Sequence, residues 1–291
     1  MTQIIQALDQ ISGPYKAVFC DLWGVLHNGR EVFPAAVAAL QKFRRKGGRV
    51  VLLTNAPRPY PGVYEHLDGL GAPRDCYDLV VTSGDASQAA VAAGLYGIRI
   101  HHVGPERDHL FFDDHDGTPL PVTRVPMDQA DSIICTGLWD DQTETPEDYR
   151  HLIADGINRG LTMLCANPDL EVDRGSQRIY CGGAIGAAYT AAGGETHYYG
   201  KPHSPIYEMS RALLSQRFSL DVTNDDILAI GDGILTDVPG AMGEGIDCLF
   251  VAGGLGAAAI GIKDGQPDAD GLKRYFDTAQ TTSRYSIGYL K

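Results

Sequence analysis

Three polar residues each stand directly behind a short apolar run: Asp21 after Ala-Val-Phe-Cys, Thr54 after Val-Val-Leu-Leu, and Asp232 after Ile-Leu-Ala-Ile-Gly. If these runs are strands of one parallel sheet, their carboxyl ends share an edge where ligands bind, and that edge collects two carboxylates and a hydroxyl. Lys201, in Tyr-Gly-Lys-Pro-His, precedes a helix-like stretch and adds a positive charge. Crowded carboxylates repel, so one takes up a proton unless a cation intervenes. Mg2+ suits such a set, because it binds a few carboxylate oxygens and keeps waters for a phosphate. The chemistry this permits is phosphoryl transfer. Asp21 would attack phosphorus, the metal and Lys201 would neutralise the phosphoryl oxygens, and Thr54 would donate a hydrogen bond.

Positioning these residues requires alternating strands and helices, and the pattern supplies them. Strand-like runs fall at 17–20, 50–53, 79–81, 98–103, 132–135, 161–165, 227–230 and 248–251. Helix candidates lie near 35–45, 84–93, 147–158, 184–192, 205–216 and 235–242. Such alternation predicts an α/β fold with a parallel sheet covered on both faces. The stretch 87–197 has strands and helices of its own and interrupts a motif series that resumes at Lys201. It is too long for a loop and reads as a second domain, leaving 1–86 and 198–291 as the core.

Composition sets outer bounds. The formal net charge of -13 argues against nucleic acid, whose phosphates are bound by clustered Lys and Arg. A small anionic substrate remains compatible, since a metal reverses the field inside one pocket. The six cysteines are scattered without a CxxC pair, and several sit in apolar runs, which predicts buried, reduced thiols. No run approaches the roughly 18 apolar residues that span a bilayer, and the N-terminus lacks a basic segment followed by an apolar stretch. A cytoplasmic location without membrane partners is the expectation. Oligomeric state is left open between a monomer and a homo-oligomer.

The motifs together resemble the haloacid dehalogenase (HAD) superfamily. Asp21-Leu22-Trp23-Gly24-Val25-Leu26, Leu53-Thr54-Asn55, Gly200-Lys201-Pro202 and Gly231-Asp232-Gly233-Ile234-Leu235-Thr236-Asp237 resemble its motifs one to four, in order. Thr82-Ser83-Gly84 and Cys165-Ala166-Asn167-Pro168-Asp169 are similar to the class IIA branch, which includes nitrophenyl-phosphate, pyridoxal-phosphate and phosphoglycolate phosphatases. The resemblance implies a Rossmann-like parallel core with an inserted α/β cap of C2 type, and a Mg2+-dependent phosphatase of small phosphorylated metabolites. By it, Asp21 is the nucleophile, and Asp21, Asp232, Asp237 and the backbone carbonyl of Trp23 surround the metal. Thr54 and Lys201 assist. Asn55 contacts substrate, and Asn167 and Asp169 face it from the cap. About the last 30 residues lie outside the resemblance.

One position departs. Family phosphatases carry a second Asp two residues after the nucleophile as general acid and base, and here that position is Trp23. Such help is worth about 10² to 10⁴ in rate. Indole donates a hydrogen bond but supplies no usable proton. The substrate would then need a good leaving group, or His27 or His203 would supply the proton, or the reaction is a metal-independent aspartate-nucleophile hydrolysis such as dehalogenation. A non-enzymatic ligand-binding role on the same scaffold is the remaining alternative.

Two further motifs read as turns. Asp114-His115-Asp116-Gly117-Thr118 matches the usual first motif, yet Asp-Gly beside alternating apolar residues signals a hairpin. Gly254-Leu255-Gly256 loosely fits a dinucleotide fingerprint, but too little chain follows for the required βαβ unit.

Overall fold

In the computed structural model the described residues are 2–114, 116–174 and 177–291, with the backbone alone described for Asp173, Arg174 and Gln177. The chain divides into two compact units. The first comprises Met1–Thr54, Tyr64–Val81 and Lys201–Lys291; the second comprises Asn55–Val63 and Thr82–Gly200.

The first unit is built on a seven-stranded sheet. Its strands, in spatial order, are Gln3–Ile4, Tyr285–Ile287, Asp247–Val251, Ile227–Gly231, Ala17–Cys20, Arg49–Thr54 and Leu79–Thr82. Ala17–Cys20 pairs in parallel with Arg49–Thr54 on one side and Ile227–Gly231 on the other. Residues on both faces are sealed: Val50, Val51 and Leu52 are each fully buried, as an apolar run in a two-sided parallel sheet requires. Helices Pro34–Arg45, Ser204–Phe218, Asp237–Glu244 and Ala269–Thr278 belong to this unit. Ile206, Tyr207, Val238 and Phe276 bury their side chains with Phe19, Leu53 and Phe250 in one core cluster.

The final residues are part of this sheet. Tyr285–Ile287 pairs in parallel with Asp247–Val251, and the Leu8 N–H donates to the Lys291 carbonyl at 2.8 Å. Helix Tyr60–Gly69 was not among the helix candidates; Pro61 falls in its first turn, where proline is tolerated. The segment read as one helix over 147–158 divides into a 3₁₀ turn at Pro146–Tyr149 and an α-helix at Arg150–Asn158.

The second unit repeats the α/β logic with a five-stranded sheet in the order Thr196–Tyr198, Thr162–Cys165, Ser132–Cys135, Arg99–Val103, Thr123–Arg124. Successive residues alternate between two core clusters: Ile133 and Met163 pack with Tyr149 and Ile185, while Ile134 and Leu164 pack with Tyr96 and Phe111. An antiparallel pair, Glu171–Arg174 with Gln177–Tyr180, lies outside that sheet. The Asp114 N–H donates to the Thr118 carbonyl at 2.7 Å and Gly117 has φ 80°, so Asp116-Gly117 belongs to a turn of this unit. His115 lies outside the described residues. All six cysteines are buried free thiols. Among the described residues no helix is long and apolar enough to cross a membrane.

Candidate active site

Strand order places the chemistry. From strand Ala17–Cys20, one neighbour lies early in the chain and the other late, so the connections diverge on either side of it. Asp21 follows this strand, and Asp232 follows its neighbour Ile227–Gly231. Thr54 ends the neighbour on the other side and is buried. Asp21, Thr54 and Asp232 thus sit at the carboxyl ends of three adjacent strands, at a topological switch point.

Lys201 ties the early and late segments together. Its Nζ lies 2.8 Å from Asp21 Oδ1 and 2.7 Å from Asp237 Oδ1, and its side chain is 3% exposed. Asp237 opens helix Asp237–Glu244, where its Oδ2 accepts the Gly233 N–H at 2.9 Å. The carboxylate therefore stabilises a helix start as well as the ammonium. Asp21 Oδ1 also accepts the Leu22 N–H at 2.7 Å, which fixes the carboxyl in the turn after the strand.

Asp21, Asp232 and Asp237 each offer a carboxylate oxygen, and these oxygens lie within 4.8 Å of one another. Three carboxylates against one ammonium leave an excess of two negative charges if all are ionised. Burial pushes Asp232 well above the ordinary carboxylate range, and the charges of Asp21 and Asp237 push it further. Asp237 rises to about 6, again chiefly through burial, with Lys201 opposing the shift. The all-oxygen donor set and its spacing fit a small hard cation, whose octahedral ligands stand about 4 Å apart across the ion.

Asp232 is held by a loop that the sequence reading took for a plain turn. Its Oδ2 accepts the Leu255 N–H at 2.8 Å. A Cβ on Gly254 would lie 1.9 Å from that oxygen, and one on Gly24 would lie 2.1 Å from it. Only glycine fits at either position. A backbone donor leaves no trace in residue type, and that is why Gly254 and Leu255 were not recognised as part of the site.

The turn after Asp21 determines what Trp23 and His27 can do. Gly29 has φ 81°, and a Cβ there would meet the outer rim of the Trp23 ring at 2.2 Å, so the indole sits directly against the glycine. The His27 ring packs edge-on to Trp23 with centroids 5.3 Å apart and to His66 at 5.5 Å. His27 Nδ1 accepts the Gly29 N–H at 3.1 Å, which puts the ring proton on Nε2. Burial lowers His27 to about 4 and also lowers His203. Both shifts favour the neutral imidazole, the form that lacks the proton a general acid must donate.

The remaining sequence-derived residues belong to the second unit. Asn55 Nδ2 donates to Asp169 Oδ1 at 2.8 Å, and Asn167 Oδ1 accepts the Asp169 N–H at 3.1 Å. These three side chains thus form one polar group within that unit, with Asn55 buried.

Residues 18–117 match the family profile of haloacid dehalogenase-like hydrolases, and 198–272 match that of HAD-hydrolase-like proteins. A hydrolase of the haloacid dehalogenase-like family from Brucella suis 1330 is 41% identical, aligned over 99% of this chain and 100% of that one, with a TM-score of 0.86. The chain belongs to the haloacid dehalogenase-like hydrolases. This family member is also 26% identical to a D-glycerol 3-phosphate phosphatase of Mycobacterium tuberculosis, over 86% of the chain and 67% of the relative. A glycerol phosphate phosphatase of the same organism, solved with magnesium, has 24% identity over 87% of this chain and 73% of its own, with a TM-score of 0.64. A 4-nitrophenylphosphatase from Thermotoga maritima shares the fold at a TM-score of 0.69, with 20% identity over 95% of each chain.

Proposed function

We propose that this hydrolase is a Mg2+-dependent phosphatase of small phosphorylated metabolites that works through an aspartyl-phosphate on Asp21. The observation that carries the reading is the gathering of Asp21, Asp232 and Asp237 around Lys201 at one sheet edge. Asp21, Asp232, Asp237 and the backbone carbonyl of Trp23 would hold the cation, which neutralises phosphoryl oxygens when bound. Lys201 holds Asp21 Oδ1 in place and offers an ammonium to the phosphoryl group. Thr54, buried at the end of its strand, offers a hydroxyl. The relatives named as glycerol phosphate and nitrophenyl phosphate phosphatases support phosphate monoesters as the substrate class.

Leaving-group protonation is the weak point of this site. Trp23 occupies the position where an acid would stand, and His27 is uncharged at neutral pH. The expected substrates are therefore esters that depart without a proton, such as acyl or aryl phosphates. The test is a rate series over acyl, aryl and alkyl phosphates with and without Mg2+. The account expects rates that need Mg2+ and fall steeply as the leaving group becomes more basic. Equal rates without the metal would instead favour the metal-independent alternative. Trp23→Asp should raise turnover of alkyl phosphates by about 10² or more, the usual yield of general acid catalysis; absence of any gain would show that the proton comes from elsewhere.

A further inference from the structure

The two oxygens of Asp232 have unequal surroundings. Oδ2 accepts the Leu255 N–H at 2.8 Å. It is also the atom nearest to where Cβ atoms on Gly24 and Gly254 would stand, at 2.1 and 1.9 Å, whereas Oδ1 lies 3.3 Å from the Gly24 position. Two bare backbone segments and one amide thus enclose Oδ2, and Asp232 as a whole is 3% exposed. Gly24 lies in the first motif, in the turn after strand Ala17–Cys20, and Gly254 in the loop after strand Asp247–Val251. Distant stretches of chain therefore converge on one oxygen atom.

This asymmetry bears on which cation the site accepts. Ca2+ readily takes both oxygens of a carboxylate in a flexible shell of six to eight ligands, whereas Mg2+ demands near-octahedral geometry with short bonds to single oxygens. A carboxylate with one oxygen hydrogen-bonded and crowded by backbone on two sides presents mainly the other to a cation. We propose that the Gly254-Leu255 segment is a metal-selecting element, which holds Asp232 to a single donor oxygen and so favours Mg2+ over Ca2+. The inference rests on the magnesium reading above and adds positioning residues to it, Gly24, Gly254 and the backbone of Leu255. A Cβ at position 254 would push the carboxylate off the Leu255 amide and free Oδ2. Loss of such an orienting partner typically costs about 10- to 100-fold in metal affinity.

The test is titration calorimetry of the whole protein with MgCl2 and with CaCl2, for wild type and Gly254→Ala, with circular dichroism and melting curves to verify folding. Wild type should bind Mg2+ at least as tightly as Ca2+. Gly254→Ala should lose about 10-fold or more in Mg2+ affinity, with the Mg2+ to Ca2+ affinity ratio moving toward Ca2+ by a similar factor. A folded Gly254→Ala protein with an unchanged ratio overturns the inference and leaves the phosphatase reading intact. Ca2+ binding to wild type ten times tighter than Mg2+ overturns it as well, and that comparison does not need the variant to fold. Wild type that binds neither ion removes both this inference and the magnesium reading.

Discussion

The two ends of the first unit's sheet treat buried carboxylates in opposite ways. At the amino end, Asp78 precedes strand Leu79–Thr82 with its side chain 2% exposed. Arg44 grips it through two nitrogens, each at 2.8 Å, Arg49 adds a third contact at 3.0 Å, and the Val50 N–H donates at 2.9 Å. Burial alone would raise Asp78, but these donors outweigh it and hold the carboxyl below its ordinary range. At the carboxyl end, three aspartates crowd together with one lysine that pairs with two of them, and Asp232 and Asp237 are raised instead. The difference separates two purposes. A carboxylate surrounded by ample donors closes a structure, while carboxylates that outnumber their donors are a standing demand for a cation.

The comparison can be broken in several ways, and the largest effect is expected at the nucleophile. Asp21→Asn keeps the size and the turn but removes the attacking oxygen anion. Turnover of an aryl phosphate should fall by about 10⁴ or more, as for other enzymes that lose a nucleophile. A residual rate within tenfold of wild type would assign the attack to another group.

Next comes the amino end. Asp78→Ala strands two arginines that are partly buried, and breaking such a pair costs about 3–5 kcal/mol. Urea denaturation of the metal-free protein should reveal that loss. Asp237→Asn at the other end should cost far less or even stabilise the metal-free protein, because it relieves crowding while Lys201 keeps Asp21. Similar losses for the two substitutions would erase the distinction between the ends.

The smaller effect is in pH. Asp237 is raised from 3.8 to about 6 in the folded protein. The folded state therefore holds its proton more tightly than the unfolded chain, so this group destabilises the metal-free fold increasingly as pH rises from about 4 to above 6. At about 1.4 kcal/mol per pKa unit, the loss by pH 7 is about 3 kcal/mol. Melting curves of metal-free protein should fall over that window, and saturating Mg2+ should restore the pH 7 value. A metal-free melting temperature that rises through the window contradicts the crowding.

Much of this architecture could be read from residue order. Asp21, Thr54 and Asp232 were legible because a polar residue closing an apolar run marks a strand's carboxyl end, and the fold needs only those ends to define a site. Lys201 and Asp237 were legible through motif resemblance, though the double contact of one ammonium with Asp21 and Asp237 was not. Gly254-Leu255 is the turn the sequence suggested, but its hold on Asp232 was not legible, because its contribution is an amide proton and an absent side chain, and neither differs from what a turn requires. The C-terminal strand Tyr285–Ile287 escaped notice for another reason: three residues are too short for a pattern, and only pairing with Asp247–Val251 defines it. His27 shows the limit for titrating groups. Its low value comes from burial under Trp23 and beside His66, contacts made by folding and not by neighbours in the chain.

The most direct test is a crystal structure of the protein soaked with MgCl2 and beryllium fluoride, which mimics a phosphoryl group bonded to a carboxylate. The account predicts trifluoroberyllate attached to an Asp21 carboxylate oxygen, with one Mg2+ bridging it to Asp21 and Asp232 and with Lys201 against its fluorines. Beryllium fluoride bound elsewhere, or a cation that ignores Asp232, would contradict it.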